Sequence, residues 1–137
     1  MKINVKGKNP LRLFFGIKYN GKRYRKVRES RIGDIALSTK TDKWTTKGKY
    51  YLIVECYAPT GFKGIIGDDG QPCGVHDQLG SFEYFRTDNS SYLKSKSFYK
   101  EDDLIKWNED NREEIVEINY SITAEGRALG QFVVIYQ

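Results

Sequence analysis

One stretch decides most of what the sequence predicts: residues 11–28, which read LRLFFGIKYNGKRYRKVR. Apolar and aromatic residues recur at every second position from Leu11 to Tyr19, which is the period of a strand with one buried face. The step Asn20-Gly21 then favours a two-residue type I′ turn, because both residue types tolerate a positive φ. We therefore predict a β-hairpin over residues 11–28, with its first strand running to Tyr19.

The turn also predicts which residues lie opposite each other across the hairpin. Cationic side chains would occupy both faces of the second strand, residues 22–28. A strand that is polar on both faces fits poorly inside a packed sheet, so we expect it to be an edge strand or a projecting arm. The predicted pairs are Tyr19 with Lys22, Ile17 with Tyr24 and Phe15 with Lys26 on one face, and Lys18 with Arg23 and Gly16 with Arg25 on the other.

The charge of the chain is concentrated around this hairpin. Residues 1–31 hold eleven lysines and arginines against the single acid Glu29, a net charge of +10, whereas the other 106 residues hold twelve against seventeen acids, a net charge of −5. Such a distribution indicates a partner that carries negative charge.

The rest of the chain reads as short strands joined by glycine-rich and polar turns. Strands are predicted at 49–58, with Leu52, Val54 and Cys56 facing the core, and at 62–66 and 81–86. A second hairpin is predicted from Val116 to Tyr136. With 137 residues, we expect one mainly β domain, an antiparallel sandwich or small barrel of seven or eight strands.

One short helix is predicted near residues 98–110. Ser97 would cap it, Glu101, Asp102 and Asp103 would lie near its positive end, and Leu104 and Trp107 would supply an apolar patch. In the barrel or sandwich we expect this helix to cover an open end.

Catalytic and metal-binding signatures are weak in this sequence. The single histidine, His76, follows Cys73 in a Cys-x-x-His arrangement that supplies two ligands, whereas zinc sites use three or four. Nucleotide-cradling glycine motifs and the Gly-x-Ser-x-Gly elbow are absent. We therefore expect no enzymatic activity, no cofactor and no metal, and we interpret Cys56 and Cys73 as free thiols.

The remaining candidate site is the basic hairpin itself. Lysine and arginine neutralise phosphates, and exposed aromatic rings can stack on unpaired bases. We therefore predict a non-enzymatic nucleic-acid-binding protein, with single-stranded DNA or RNA as a possible ligand. Its predicted contact residues are Arg12, Phe14, Lys18, Lys22, Arg23, Tyr24, Arg25, Lys26, Arg28 and Arg31.

In the plainest interpretation Phe15, Ile17 and Tyr19 are core residues, and the cations only keep an edge strand soluble. Two functional alternatives also stay open. The first is a structural or interaction protein of a virion or other assembly, in which the same hairpin docks on an acidic protein or adds a strand to its sheet. The second is a carbohydrate-binding sandwich that uses Trp44 or Trp107. Because no secretory signal or apolar run of membrane-spanning length is seen, we expect an intracellular, cytoplasmic protein without a membrane partner, virion association remaining open.

Overall fold

The computed structural model describes most of the chain, with short gaps. The described residues are 11–13, 16–19, 21–58, 61–77, 80–88, 91–111, 115–122 and 128–137, of which 11–13, 111, 120–122 and 128–131 are described by their backbone alone.

The described chain is mainly β, as predicted, with a single helix, α1 (Glu101–Asn111). Strands make up the remainder of its regular structure. They are β1 (Leu11–Leu13), β2 (Gly16–Tyr19), β3 (Lys22–Val27), β4 (Ile35–Ser38), β5 (Tyr50–Leu52), β6 (Val54–Cys56), β7 (Phe62–Ile66), β8 (Pro72–Gly74), β9 (Phe82–Arg86), β10 (Lys94–Phe98), β11 (Ile115–Ile122) and β12 (Ala128–Tyr136).

The strands form two six-stranded sheets, the first ordered β1-β2-β3-β9-β4-β5 and the second β11-β12-β10-β6-β7-β8. The prediction of seven or eight strands was too low. The prediction of a purely antiparallel fold was also wrong, because β6 and β10 run parallel, with Glu55 paired to Lys94. These features depend on pairings between distant segments, which alternation along one segment does not reveal.

The register of the first hairpin is confirmed wherever it is described. All four pairs of β2 and β3 are as predicted, from Tyr19 with Lys22 to Gly16 with Arg25, and Gly21 in the turn has a φ of 78°. The first strand is shorter than predicted, because β1 pairs antiparallel with β2. The predicted pair of Phe15 with Lys26 lies outside the described residues.

The expectation that residues 22–28 form an edge strand or arm was wrong for residues 25–27. β3 lies between β2 and β9, and its residues Arg25, Lys26 and Val27 pair with Arg86, Phe85 and Tyr84. A cationic strand is tolerated there because its charged side chains remain exposed while Tyr24 and Val27 are partly buried. Lys22, Arg23 and Tyr24 pair with β2 alone, so the turn end of the hairpin extends past β9.

The apolar stretch 49–58 connects the two sheets. It was predicted as one strand, but it divides at Ile53 into β5 of the first sheet and β6 of the second. The backbone groups of Ile53 bond instead to Gly33 and Asp34, at 2.8 and 2.9 Å. The predicted core residues Val54 and Cys56 are fully buried, and Leu52 is partly buried between two apolar clusters.

Helix α1 covers a face of the second sheet, and not an open end as expected. Leu104 and Trp107 pack on Phe98, Val134 and Tyr136. The helix begins at Glu101, because residues 94–98 form strand β10 and pair with β12. The prediction that Ser97 caps the helix was therefore wrong, whereas the three acids do occupy its first turn.

The other predicted strands are confirmed. β7 spans the predicted 62–66, β9 lies within 81–86, and β11 with β12 forms the predicted closing hairpin. Among the described residues, no helix is long and apolar enough to cross a membrane.

Candidate functional site

The first hairpin places three cations on one side of its sheet. Lys18 lies directly opposite Arg23, and Arg25 follows Arg23 at the next position on the same face. All three side chains are exposed. We call Lys18, Arg23 and Arg25 the basic face. Opposed side chains on paired strands have Cβ atoms about 4.5–5.5 Å apart, so Lys18 and Arg23 are close neighbours of like charge.

The two tyrosines of the hairpin lie on the opposite side. Tyr19 and Tyr24 are partly buried and pack against Ile17, Ile35 and Phe85, each of which is at most 2% exposed. Their rings meet edge to face, with centroids 6.3 Å apart. Burial raises the pKa of both phenols. The predicted contact residue Tyr24 is thus engaged in the core.

Two cations of the hairpin have carboxylate partners within the domain. Arg25 Nη1 lies 2.6 Å from Asp88 Oδ1, and Lys26 Nζ lies 3.4 Å from Glu83 Oε1. The Arg25 and Asp88 side chains are 59% and 89% exposed, and ion pairs this exposed contribute little to stability. A stronger anion could therefore displace Asp88 at small cost.

Five further cations of the hairpin region are exposed. Within the described part of the chain, no ion pair involves Lys18, Lys22, Arg23, Arg28 or Arg31. Arg12 is described by its backbone alone, in β1 opposite Ile17, and Phe14 lies outside the described residues.

Arg86 is the next cation across the sheet, opposite Arg25 on β9, and it is held differently. Its Nε and Nη2 atoms donate to the two carboxylate oxygens of Asp34 at 2.9 and 2.8 Å. Nη2 also donates to the Glu29 carbonyl at 2.8 Å. These hydrogen bonds join the chain just after β3 to β9, and Asp34 neutralises the charge of Arg86. We therefore assign Arg86 to the stability of the fold and not to the basic face.

The Cys73 and His76 segment begins in a strand and ends at the surface. Cys73 lies in strand β8 and not in a loop, and His76 is exposed. Asp77 beside it accepts from Ser30 and from Lys63, whose Nζ lies 3.2 Å from Oδ2. Among the described residues, no group of three or more metal-binding side chains is found.

The two cysteines are free thiols. Alternation along β6, β7 and β8 places them on opposite faces of the sheet, since Cys56 pairs with Phe62 while Cys73 pairs with Ile65. Burial raises the pKa of the Cys56 thiol to about 11. A thiol so protonated is a poor nucleophile at neutral pH.

The two tryptophans have different environments. Trp107 lies on α1 and packs against the second sheet, with its ring centroid 4.9 Å from that of Tyr136. Trp44 is 41% exposed, and Lys43 Nζ lies 4.4 Å from its ring centroid. Only Trp44 of this pair therefore presents an accessible ring for the carbohydrate-binding alternative.

No family model, no curated protein and no solved structure matches this chain. The candidate site therefore stands on its own geometry.

The carboxylates that partner Arg25 and Lys26 were missed in the sequence. Asp88 and Glu83 lie 63 and 57 residues away along the chain, and no local pattern marks them. The only signal in the sequence was the strand predicted at 81–86, which contains Glu83. Its pairing with β3, which places this acid near the cations, could not be predicted from the sequence.

Proposed function

We propose that this chain is a non-enzymatic nucleic-acid-binding protein and that the basic face of its first hairpin contacts phosphates. One observation carries the proposal: Lys18 and Arg23 are exposed and directly opposed on paired strands. Like charges opposed in this way are destabilising. An anionic ligand between the two side chains would convert that repulsion into attraction.

The surrounding charges support the same surface. Lys22, Arg28 and Arg31 are exposed close to the basic face in sequence. Residues 1–31 as a whole carry a net charge of +10, of which the net charge of −5 on the rest of the chain balances only half. Binding by cations alone releases counterions from the nucleic acid, which makes affinity depend steeply on salt.

For the fold, we propose that the two sheets close into a sandwich or small barrel. The apolar clusters of the two sheets meet at Leu52, which packs against both the Ile17 and the Val54 clusters. In that arrangement Tyr19 and Tyr24 belong to the Ile17 cluster. The basic face stays exposed, although farther along the same side of the sheet Tyr84 packs with Ile65 of the second sheet.

The test is oligonucleotide binding, measured by fluorescence anisotropy at several salt concentrations. We expect the double variant Lys18→Ser, Arg23→Ser to bind about ten-fold more weakly at low salt for each phosphate that it no longer reaches. On double-stranded DNA its plot of log affinity against log salt should also be flatter, by about 0.9 for each such phosphate.

The matched control is the double variant Lys40→Ser, Lys47→Ser. It removes the same charge from two exposed lysines in the segment that joins β4 and β5. An equal weakening in the two variants would show that only net charge matters, and an unchanged affinity in the Lys18 and Arg23 variant would overturn the proposal.

The alternative of an acidic protein partner uses the same surface, but the fold limits which strands could pair with a strand of that partner. Because Arg25, Lys26 and Val27 pair with β9, only the segment 22–24 of β3, which pairs with β2 alone, leaves a short edge open to a partner strand. Strand addition would use that short edge or a marginal strand of the described sheets, such as β1.

A further inference from the structure

We propose that the ligand of the basic face is the phosphate backbone of a double-stranded nucleic acid, bound without stacking of unpaired bases. This inference rests on the proposed function and specifies its ligand. The opposite expectation, of a single strand held on aromatic rings, follows from the composition of the hairpin but not from its faces.

Alternation in the paired strands separates rings from cations. In residues 16–19 and 21–27, the rings are those of Tyr19 and Tyr24, and both lie on the face opposite Lys18 and Arg23. A base held at the basic face would therefore find no ring of these residues beside it.

The rings of Tyr19 and Tyr24 also pack against the core of the domain. Both are packed on a cluster that includes the fully buried Ile17 and the nearly buried Phe85. Stacking on a base requires an accessible ring face. Turning Tyr24 outward would expose the apolar surface that it covers, so stacking would be opposed by the hydrophobic effect.

A surface that binds only by charge favours the ligand with the higher charge density. Double-stranded DNA carries one charge per about 1.7 Å of axis, and each contact gives a salt slope of about 0.9, against about 0.7 on a single strand. For two ligands of equal affinity at about 1 M salt and three contacts, at Lys18, Arg23 and Arg25, this difference amounts to about six-fold tighter binding to duplex at ~0.05 M salt.

The geometry of the cations fits an extended backbone. Arg23 and Arg25 are two positions apart on one strand, which separates their Cα atoms by about 6.6 Å, and both belong to strands held by ladder hydrogen bonds. A preformed row of cations limits the ordering cost of binding to the side chains themselves.

The experiment compares a fluorescent 20-base strand, its 20-base-pair duplex and poly-glutamate as probes for the unaltered protein. We expect the duplex to bind tightest and with the steepest salt slope, regardless of its sequence. Binding of the single strand that equals or exceeds duplex binding would overturn this inference while leaving nucleic-acid binding intact. Binding of poly-glutamate without binding of either oligonucleotide would overturn the proposed function itself.

A variant separates stacking from charge. We expect Tyr24→Leu to leave duplex affinity within about two-fold of the original, because leucine, although smaller than tyrosine, keeps this position apolar and leaves the basic face unchanged. A loss of oligonucleotide affinity in a Tyr24→Leu protein with an unchanged circular dichroism spectrum would contradict the inference. The probe comparison needs no variant, so it decides the question even where Tyr24→Leu does not fold.

Discussion

Arg86 and Asp34 form a two-point ion pair in the interior of the first sheet. The Asp34 side chain is fully buried, the Arg86 side chain is 15% exposed, and Arg86 Nη2 lies 2.8 Å from Asp34 Oδ2. Asp34 also accepts from the Arg31 backbone N–H at 2.8 Å. The pair therefore holds the turn after β3 against β9, and with it the strand that carries the proposed contact surface.

Replacing Asp34 by Asn should strongly destabilise the protein. Removing one partner of a buried pair leaves an uncompensated charge, which costs about 3–5 kcal/mol. Urea denaturation would measure the change in the free energy of unfolding. The matched control, Asp88→Asn, removes the partner of the exposed Arg25 and should cost less than about 1 kcal/mol. Equal effects of the two substitutions would contradict a structural role for the Asp34 pair.

Gly64 and Gly74 are opposed on β7 and β8 and should respond differently to alanine. A Cβ on Gly64 would lie 2.4 Å from the Cys73 carbonyl oxygen and 2.9 Å from Cys56 Sγ, whereas one on Gly74 would come no closer than 3.5 Å, to His76 Nε2. Backbone atoms cannot move aside as side chains do. We expect Gly64→Ala to lower the melting temperature well below that of Gly74→Ala, and similar melting temperatures would argue against this close approach of strands.

Stability should fall at alkaline pH. Burial is the largest cause that raises the pKa of Tyr51 and of Tyr84, in each case to about 12 from 10.0. The neutral phenol is therefore favoured in the folded state. This stabilisation is complete below about pH 10 and disappears as the pH rises towards 12, by about 2 kcal/mol for each residue.

Urea denaturation at pH 9, 10 and 11 would check this expectation. Tyr51→Phe serves as the matched variant, since it removes one titrating hydroxyl together with its hydrogen bonds to Asp68 and Thr46. Its stability should be lower at neutral pH and should decline less steeply above pH 10. An unfolding free energy of the original protein that stays constant to pH 11 would contradict the burial of these phenols.

Local features of the fold could be read from the sequence. The step Asn20-Gly21 set the register of β2 and β3. Alternation identified β9 and the hairpin of β11 and β12, and the turn residues on either side of 62–66 identified β7. Each of these depends on contacts between near neighbours in the chain, or on the period with which one segment buries its side chains. The three predicted acids of α1 fall in its first turn for the same local reason.

Features that depend on distant partners were missed. The helix starts later than predicted because β12 recruits residues 94–98 into a strand. The stretch 49–58 divides at Ile53 because Gly33 and Asp34 take its backbone hydrogen bonds. The segments that cause these changes, β12 in one case and Gly33 with Asp34 in the other, lie far away in the sequence. Propensity and alternation therefore gave the type of each element but not where it begins and ends.

For the candidate site, the sequence by itself determined that cations and tyrosines share a hairpin and which of them are opposed. Only the tertiary structure decided that β3 lies inside a sheet, that Asp88 and Glu83 engage Arg25 and Lys26, and that Tyr19 and Tyr24 are packed on the core. The physical reason is that a turn and its register are set by covalent neighbours, whereas burial and ion pairing are set by whatever segments fold against them.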